Sequence, residues 1–460
     1  MKKEGIHFEI SERKILLRIV DVISIISILY ALGFLLDLEY FIAIFKNPIN
    51  AFTLILYIMF FATLFDMYNL QHASNQMQIL KSTIIASVTI AGFYLITPLI
   101  TPVLPGNRLQ IIAFIGTILG ALGAWRILYL TYFASIRFQK NVLFIGNDLQ
   151  VQKLANELEL ANPHYKVSGF INTNSYEKNN IQIEEVTITD ASNFIRKHNI
   201  SEIVMTQKNK QTIGVNLLNV LLKSLEHGII VREFSQVYET STYRLPILYA
   251  DKDFYNYFPF SRSNNNKLYL IAVRLFDIGF ALVGLTILVA LIPFILLINA
   301  VANKGPLFYK QERVGQYGIP FLVYKLRSMV TDAEKNGAQF AQKNDARVTP
   351  FGKFIRKTRL DEVPQFINVL RGEMSVIGPR PERPVFVEQI AEVMPFYKTR
   401  HVIKPGLTGW AQVKYSYGIS LEDSLIKLQY DLYYIKNRSL SLDLNIMIKT
   451  VSTVLFFRGQ

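Results

Sequence analysis

Two adjacent carboxylates, Asp361 and Glu362, lie in the stretch Thr358-Arg359-Leu360-Asp361-Glu362-Val363-Pro364-Gln365. Downstream, Val363, Phe366, Ile367 and Leu370 recur at i, i+3, i+4, i+7, the spacing of a helix with one buried face. Pro364 suits its first turn and Gly372 the position just past its end. Thr358 or Asp361 is placed to cap it. The pair is therefore expected at a helix N-terminus, where free N–H groups and the helix dipole keep a carboxylate ionised. Adjacent acids in a first turn are common, and alone they carry no chemistry. Arg380 is more specific. Pro379 and Pro381 fix the backbone on both sides of it, so its guanidinium is presented stiffly. A planar fork suits two phosphate oxygens, although Glu382 beside it is a competing partner. Lys325 and Arg327 sit in a strand-like alternation with Phe321, Val323 and Leu326, as substrate-facing cations or as a solvated edge. Lys353, Arg356, Lys357 and Arg359 read as a basic patch facing lipid.

Other segments stand around these residues: Lys310-Gln311-Glu312-Arg313-Val314-Gly315, Tyr324-Lys325-Leu326-Arg327-Ser328-Met329 and Asp345-Ala346-Arg347-Val348-Thr349 upstream. Met374-Ser375-Val376-Ile377-Gly378-Pro379-Arg380-Pro381-Glu382 and Lys404-Pro405-Gly406-Leu407-Thr408-Gly409-Trp410-Ala411-Gln412-Val413 follow. From about Lys267 onward the chain resembles the catalytic domain of the bacterial monotopic phosphoglycosyl transferases, the polyisoprenyl-phosphate hexose-1-phosphate transferases. That resemblance implies transfer of a sugar 1-phosphate from a UDP-sugar to undecaprenyl phosphate, with release of UMP, at the start of exopolysaccharide, capsule or O-antigen assembly. By the motif match Asp361 is the nucleophile, Glu362 the Mg2+ ligand and Arg380 a phosphate clamp. Lys325, Arg327, Pro379 and Pro381 would complete the substrate-binding set. A carboxylate is a weak nucleophile toward a charged diphosphate, so a metal ion is needed to cancel charge. An acyl-phosphate intermediate divides one awkward transfer into two. No segment reads out a hydroxyl pattern, so the sugar is not named.

These groups need a membrane surface to work on. The chain has 460 residues, 51% hydrophobic and 13% aromatic, no cysteine, and a net charge of +14. Its basic residues flank apolar runs, which fits anionic lipid rather than nucleic acid. Ile19–Leu36, the run between Lys46 and Asp66, the run between Lys81 and Arg108, and Leu109–Trp125 are each close to the ~20 residues of a spanning helix. Residues 1–138 are thus expected to form a four-helix transmembrane bundle that anchors rather than transports, since only Asp21 is ionisable deep in a span. Lys2, Lys3, Arg13, Lys14, Lys81, Arg137 and Lys140 fall on one side of it, against Lys46 and Arg108 on the other. The positive-inside rule puts both ends, and the domains after them, on the cytoplasmic face of a bacterial inner membrane.

Residues 139–260 show a βαβ rhythm. Asn141–Gly146, Val167–Ile171, Glu202–Met205 and Ile229–Val231 read as strands, and Val151–Leu158, Ala191–His198 and Val215–His227 as helices, a Rossmann-like α/β domain. Its first turn, Gly146-Asn147-Asp148-Leu149-Gln150, has one glycine where a dinucleotide grip wants three, so no dinucleotide is expected. Tyr238–Tyr257 is irregular and Ser261–Asn266 reads as a linker. Residues 261–460 form the expected α-rich catalytic domain. It opens on an uncharged run, about 278–303, flanked by Lys267 and Arg274 on one side and Lys304, Lys310 and Arg313 on the other. Basic residues at both ends, with Pro293 inside as a kink, predict a re-entrant helix, although Ile292 stands where the family often has serine. Leu421–Tyr434 and Leu440–Phe457 read as amphipathic interfacial helices. Two other functions fit parts of this pattern. A membrane nucleotide-sugar dehydratase or epimerase would need a glycine-rich turn and a Tyr-x-x-x-Lys pair that the middle domain lacks. A non-catalytic assembly protein for polysaccharide export would need neither Asp361 nor Arg380. A homodimer is left open.

Overall fold

The computed structural model describes residues 10–68, 76–132, 140–146, 148–162, 165–173, 182–206, 214–247, 264, 266–303, 305–333, 335, 345–415 and 420–455. It divides into two compact units, Met1–Thr242 and Tyr243–Gln460. Asn147 of the first βα turn, most of the linker expected at Ser261–Asn266 and the second half of Tyr238–Tyr257 lie outside the described residues.

The first unit opens with α1 (Ile10–Leu35), α2 (Glu39–Lys46), α3 (Pro48–Leu64), α4 (Gln76–Ile96) and α5 (Arg108–Tyr132). Within α1, α4 and α5 the stretches Glu12–Leu35, Ile79–Ile96 and Arg108–Tyr132 are long and apolar enough to cross a membrane. The second expected span, between Lys46 and Asp66, is the unbroken helix α3, and α2 precedes it across a bend of 100°. Asn47 between them is extended and its side chain accepts from the Ile49 N–H, while Pro48 starts a new helix whose first N–H groups need no partner. The fourth span runs two turns past Trp125. Arg126 does not end it, because its guanidinium turns inward and meets Asp21 at 2.6 Å, both side chains buried.

The same unit continues with β1 (Lys140–Gly146), α6 (Asp148–Ala161), β2 (Tyr165–Asn172), α7 (Ala191–Lys197), β3 (Ile200–Met205), α8 (Val215–Glu226), β4 (Ile230–Glu233) and α9 (Phe234–Thr242). The four strands form one parallel sheet in the order β2-β1-β3-β4, as the βαβ rhythm predicts. Two details differ from expectation. Tyr238–Thr242 is helical, the end of α9, whose Phe234, Val237 and Tyr238 are buried. Gly146 has a packing role: a Cβ there would fall 1.6 Å from Thr206 Oγ1, so the missing side chain admits Thr206 at the end of β3.

The second unit begins before residue 261. Leu245 and Ile247 are buried in its core, the Leu245 N–H donates to the Gln429 carbonyl at 3.0 Å, and the Tyr243 carbonyl accepts from the Trp410 indole at 3.2 Å. Then come α10 (Lys267–Ala302), the hairpin β5 (Phe308–Val314) and β6 (Pro320–Leu326), α11 (Pro350–Lys357), a 3₁₀ turn Leu360–Gln365, and α12 (Phe366–Arg371). β7 (Ser375–Ile377), α13 (Pro384–Val393), a 3₁₀ segment Pro395–Val402, β8 (Gly406–Thr408), α14 (Trp410–Lys414), α15 (Leu421–Lys436) and α16 (Leu440–Leu455) complete it.

α10 is helical throughout, with Pro293 inside it. Tyr269, Asp277, Ala281, Gly284, Leu288, Ile295 and Asn299 make one buried stripe along its whole length, about 54 Å at 1.5 Å per residue. The outward face is bare and apolar, with Val283, Val289, Phe294 and Val301 exposed. Both ends are tied to the same unit. Near the start, Tyr269 donates to Asp443, Arg274 to the carbonyls of Val369 and Leu370 that end α12, and Asp277 accepts from the Ser375 hydroxyl and the Val376 N–H. At the far end Asn303 donates to the Arg327 carbonyl at 2.8 Å.

Candidate active site

The acidic pair sits in the 3₁₀ turn Leu360–Gln365, between α11 and α12. Arg359 before it is left-handed, at φ 59° and ψ 14°, a conformation that separates the turn from α11. In a 3₁₀ turn, residues three apart share an edge. Leu360 and Val363 accordingly pack on Leu288, Ile295, Phe351 and Ile355, which roots the turn in α10 and α11. Asp361 and Glu362 occupy the other edges. Neither caps a helix, and Thr358 bonds back to Phe354 and Ile355.

The two carboxylates have opposite surroundings. Asp361 is 8% exposed, and its Oδ1 is buried without a hydrogen-bond partner. Burial first, then the charge of Glu362, push its pKa up to about 6 against the pull of Lys325, Arg356 and Arg359. The expectation that a helix terminus keeps Asp361 readily ionised is therefore wrong, because desolvation outweighs a dipole that six-residue α12 barely has. Glu362 is surrounded by cations: Arg380 Nη2 at 2.9 Å, Arg359 Nη1 at 3.7 Å and Lys325 Nζ at 3.8 Å. Burial alone would raise its pKa, but Arg380, Lys325 and Arg359 together hold it well below the usual range. Burial also lowers the pKa of Lys325, with Glu362 opposing.

Four of the residues singled out from sequence thus meet: Asp361, Glu362, Lys325 and Arg380. Arg380 takes Glu362 as its partner, while Glu382 pairs with Arg313 at 3.4 Å. The Pro379-Arg380-Pro381 backbone is gripped on each side. Gly406 N–H donates to the Pro379 carbonyl at 2.9 Å, Arg400 to the Arg380 carbonyl at 3.0 Å, and Arg313 to the Pro381 carbonyl at 3.2 Å. Glycines make the first of these grips fit. A Cβ on Gly378 would lie 2.4 Å from the Lys404 carbonyl, on Gly406 2.1 Å from Gly378 N, and on Gly409 2.2 Å from the Gly378 carbonyl. The two glycine-containing motifs quoted above are therefore halves of one backbone contact between β7 and β8.

Arg327 does not join them. Its Nε donates to the Pro306 carbonyl at 2.6 Å, Nη1 to Met329 and to Asn303 Oδ1, and Nη2 to the Asn303 carbonyl. The side chain is buried, and four of its five N–H donors are spent, two on Asn303 at the C-terminal end of α10 and one each on the Pro306 and Met329 carbonyls. The substrate-binding role expected of Arg327 is corrected to that of a helix-end clamp. The basic patch also divides. Arg359 turns to Glu362 and Arg356 donates to Ser328 Oγ at 2.8 Å, which leaves Lys353 and Lys357 exposed on α11. Arg359, Arg313 and Arg400 were not picked out from sequence as members of the site, since only the fold brings them to Glu362 and the Pro379–Pro381 backbone.

Among the described residues no three His, Cys, Asp or Glu side chains converge on one point, so no all-protein metal cage exists there. A pair of neighbouring carboxylates with one unpartnered buried oxygen does suit Mg2+. That ion takes one or two protein carboxylates and fills its shell from water and substrate phosphates.

Residues 268–457 match the sequence profile of the bacterial sugar transferases. The UDP-N-acetylgalactosamine-undecaprenyl-phosphate N-acetylgalactosaminephosphotransferase of Aeromonas hydrophila is 45% identical over 190 residues, 41% of this chain and 45% of that protein. The UDP-glucose:undecaprenyl-phosphate glucose-1-phosphate transferase of Klebsiella pneumoniae is 33% identical over 295 residues, 62% of this chain and 61% of its own. The sugar transferase EpsL of Bacillus subtilis (strain 168) is 37% identical over 194 residues, which are 41% of this chain and 90% of that protein. The chain thus spans about half the length of the first of these relatives and nearly all of the shortest.

Proposed function

Because the chain belongs to the bacterial sugar transferase family, we propose that it transfers a sugar 1-phosphate from a UDP-sugar to undecaprenyl phosphate and so starts the assembly of a surface glycan. One observation carries this reading: a buried carboxylate with an unpartnered oxygen, Asp361, lies beside a carboxylate held ionised by three cations. In the first step an Asp361 oxygen bonds to the β-phosphorus, and the bond from that phosphorus to the bridging oxygen breaks. UMP leaves with the electron pair. In the second, an oxygen of undecaprenyl phosphate attacks the same phosphorus and Asp361 is released. A pKa of about 6 leaves Asp361 ionised at neutral pH and makes it more basic, hence a better nucleophile, than an exposed aspartate. Arg380 and Lys325 are placed to meet the diphosphate once it displaces them from Glu362. Mg2+, held by Glu362 and the diphosphate, would supply charge neutralisation at the leaving phosphate.

The undecaprenyl phosphate must reach Asp361 from a bilayer. α10 suits one leaflet of the bacterial inner membrane, with the bundle's ends and both α/β regions on the cytoplasmic side. Support comes from its apolar outer face and from the attachment of both its ends to a single unit. A plain span would carry one end out of reach of that unit. Incubating membranes with a panel of UDP-sugars tests the activity. Sustained UMP release over many turnovers that depends on undecaprenyl phosphate is expected for one sugar, and release from none of them, or sustained release indifferent to the lipid, would defeat the proposal.

A further inference from the structure

The N-terminal bundle holds a cationic cluster that the transfer reaction does not use. Arg126 is 3% exposed and gives one N–H to Asp21, yet its Nε and Nη1 are buried with no hydrogen-bond partner. Arg18 Nε is likewise buried and unpartnered. The Tyr68 ring lies against both guanidiniums, with Arg18 Cζ 5.2 Å and Arg126 Cζ 6.0 Å from its centroid. Arg126 thus pairs with Asp21, Arg18 shares the Tyr68 ring with Arg126, and Arg13, also buried, stands on the same end of α1. Arg18 and Arg126 lie about two turns from the start of α1 and the end of α5, so they occupy one end of the bundle.

A guanidinium buried beside apolar helices must satisfy its donors, because an unmade hydrogen bond there is not replaced by water. If the cluster were only a structural ion pair, one arginine would suffice for Asp21. Asp21 Oδ1 and the Tyr68 hydroxyl are buried and unpartnered there as well, but the four N–H groups on Arg18 Nε and on Arg126 Nε and Nη1 outnumber them and suit an anion with several acceptor oxygens. Planar guanidinium forks match a phosphate group. The depth of the cluster and the spanning length of α1 and α5 favour a phosphate carried on a lipid.

We propose that Arg18 and Arg126 form a binding site for a phosphate group, borne by a membrane lipid or free, in the N-terminal bundle and separate from the Asp361 site. The test is native mass spectrometry of the full chain in detergent, titrated with phosphatidic acid, with phosphatidylcholine and with inorganic phosphate. Wild type should retain phosphatidic acid well beyond its phosphatidylcholine background. Arg18→Gln, which leaves the Asp21–Arg126 pair intact, should weaken this at least tenfold. The double variant Asp21→Asn/Arg126→Gln removes both charges of the pair together and should weaken it similarly. Competition by millimolar inorganic phosphate would assign the site to the free ion, and its failure to compete would assign it to the lipid headgroup. Equal retention of phosphatidic acid by wild type and Arg18→Gln, or equal retention of the two lipids by wild type, would overturn the proposal. Transferase activity should be unchanged in Arg18→Gln.

Discussion

Replacing Asp361 by asparagine should abolish the covalent step and also make the protein harder to unfold. The carboxylate is buried, one oxygen has no partner, and its pKa is raised from 3.8 to about 6. An acid whose pKa is higher when folded binds more protons in the folded state between those two values. Stability therefore falls as pH rises through that window and stays lower above it. At ~1.36 kcal/mol per pKa unit, ionised Asp361 costs up to about 3 kcal/mol at pH 8. Asparagine keeps the shape without the charge. For a cooperative unit of roughly 200 residues, each kcal/mol moves Tm by about 2–4 °C, so a gain of up to roughly 6–12 °C is expected at pH 8. The gain should fall to roughly half at pH 5 and vanish only below about pH 3.8, where the carboxyl is protonated in both the folded and the unfolded state. Tm is read from intrinsic fluorescence of purified protein at both pH values. The same preparations, given a UDP-sugar labelled on the β-phosphate and no lipid acceptor, report the chemistry. Wild type should trap a hydroxylamine-sensitive label and release UMP in equal amount, while Asp361→Asn traps nothing. A variant that turns over near the wild-type rate would remove Asp361 as nucleophile. A variant no more stable than wild type at pH 8 would show that the carboxylate is not held at a cost.

The wild-type kcat/KM should rise with pH through an acid limb near 6, where Asp361 of the free enzyme loses its proton, and a limb near 4 would refute the raised pKa. Glu362→Gln leaves Arg359, Lys325 and Arg380 without their shared anion; expect kcat down at least a hundredfold, stability down by about 2 kcal/mol or more, and partial recovery in excess Mg2+. Arg327→Ala should cost roughly 3 kcal/mol of stability, since it strands the carbonyls of Asn303, Pro306 and Met329, and should leave the KM for UDP-sugar within about twofold; a large KM change would restore its substrate role. Single cysteines at Asn264 and Lys310, in a chain that has none, should both resist an impermeant thiol reagent in intact cells, whereas labelling at Lys310 alone means a full span through α10.

What could be read from sequence was whatever a local period encodes. The inner strands β1 and β3 are runs of Val, Ile, Leu and Phe whose burial is nearly continuous, and the limits of all four strands fall within a residue or two of those expected. Side-chain pairing across distance was not legible. Arg126 looks like the charged end of a span until Asp21, far off in the chain, turns it inward. Arg327 sits two residues from Lys325 in one motif, and only the position of Asn303 sends it to a helix end while Lys325 faces Glu362. Similarly, Glu382 was the obvious partner for Arg380 by adjacency, yet Arg313 on the neighbouring hairpin takes it.

That last exchange explains how two adjacent acids come to differ. Pairs of titratable groups whose environments drive their pKa values apart mark a division of labour. Here Arg313 and Arg400 hold the backbone on either side of the proline-bracketed arginine, and Arg313 occupies Glu382, so Arg380 is left to Glu362. Glu362 is then held ionised well below the usual carboxylate range, and its negative charge is the second cause of the raised pKa at Asp361. The basicity of Asp361 therefore depends on a loop held by Gly378, Gly406 and Gly409, whose backbones touch where no side chain fits. Gly409→Ala should act at that distance. Its Cβ would press the Gly378 carbonyl, shift Pro379 and loosen Arg380 from Glu362. The acid limb should then move, and only a displaced Arg380 moves it: loss of activity with the limb still near 6 would confine the glycines to folding.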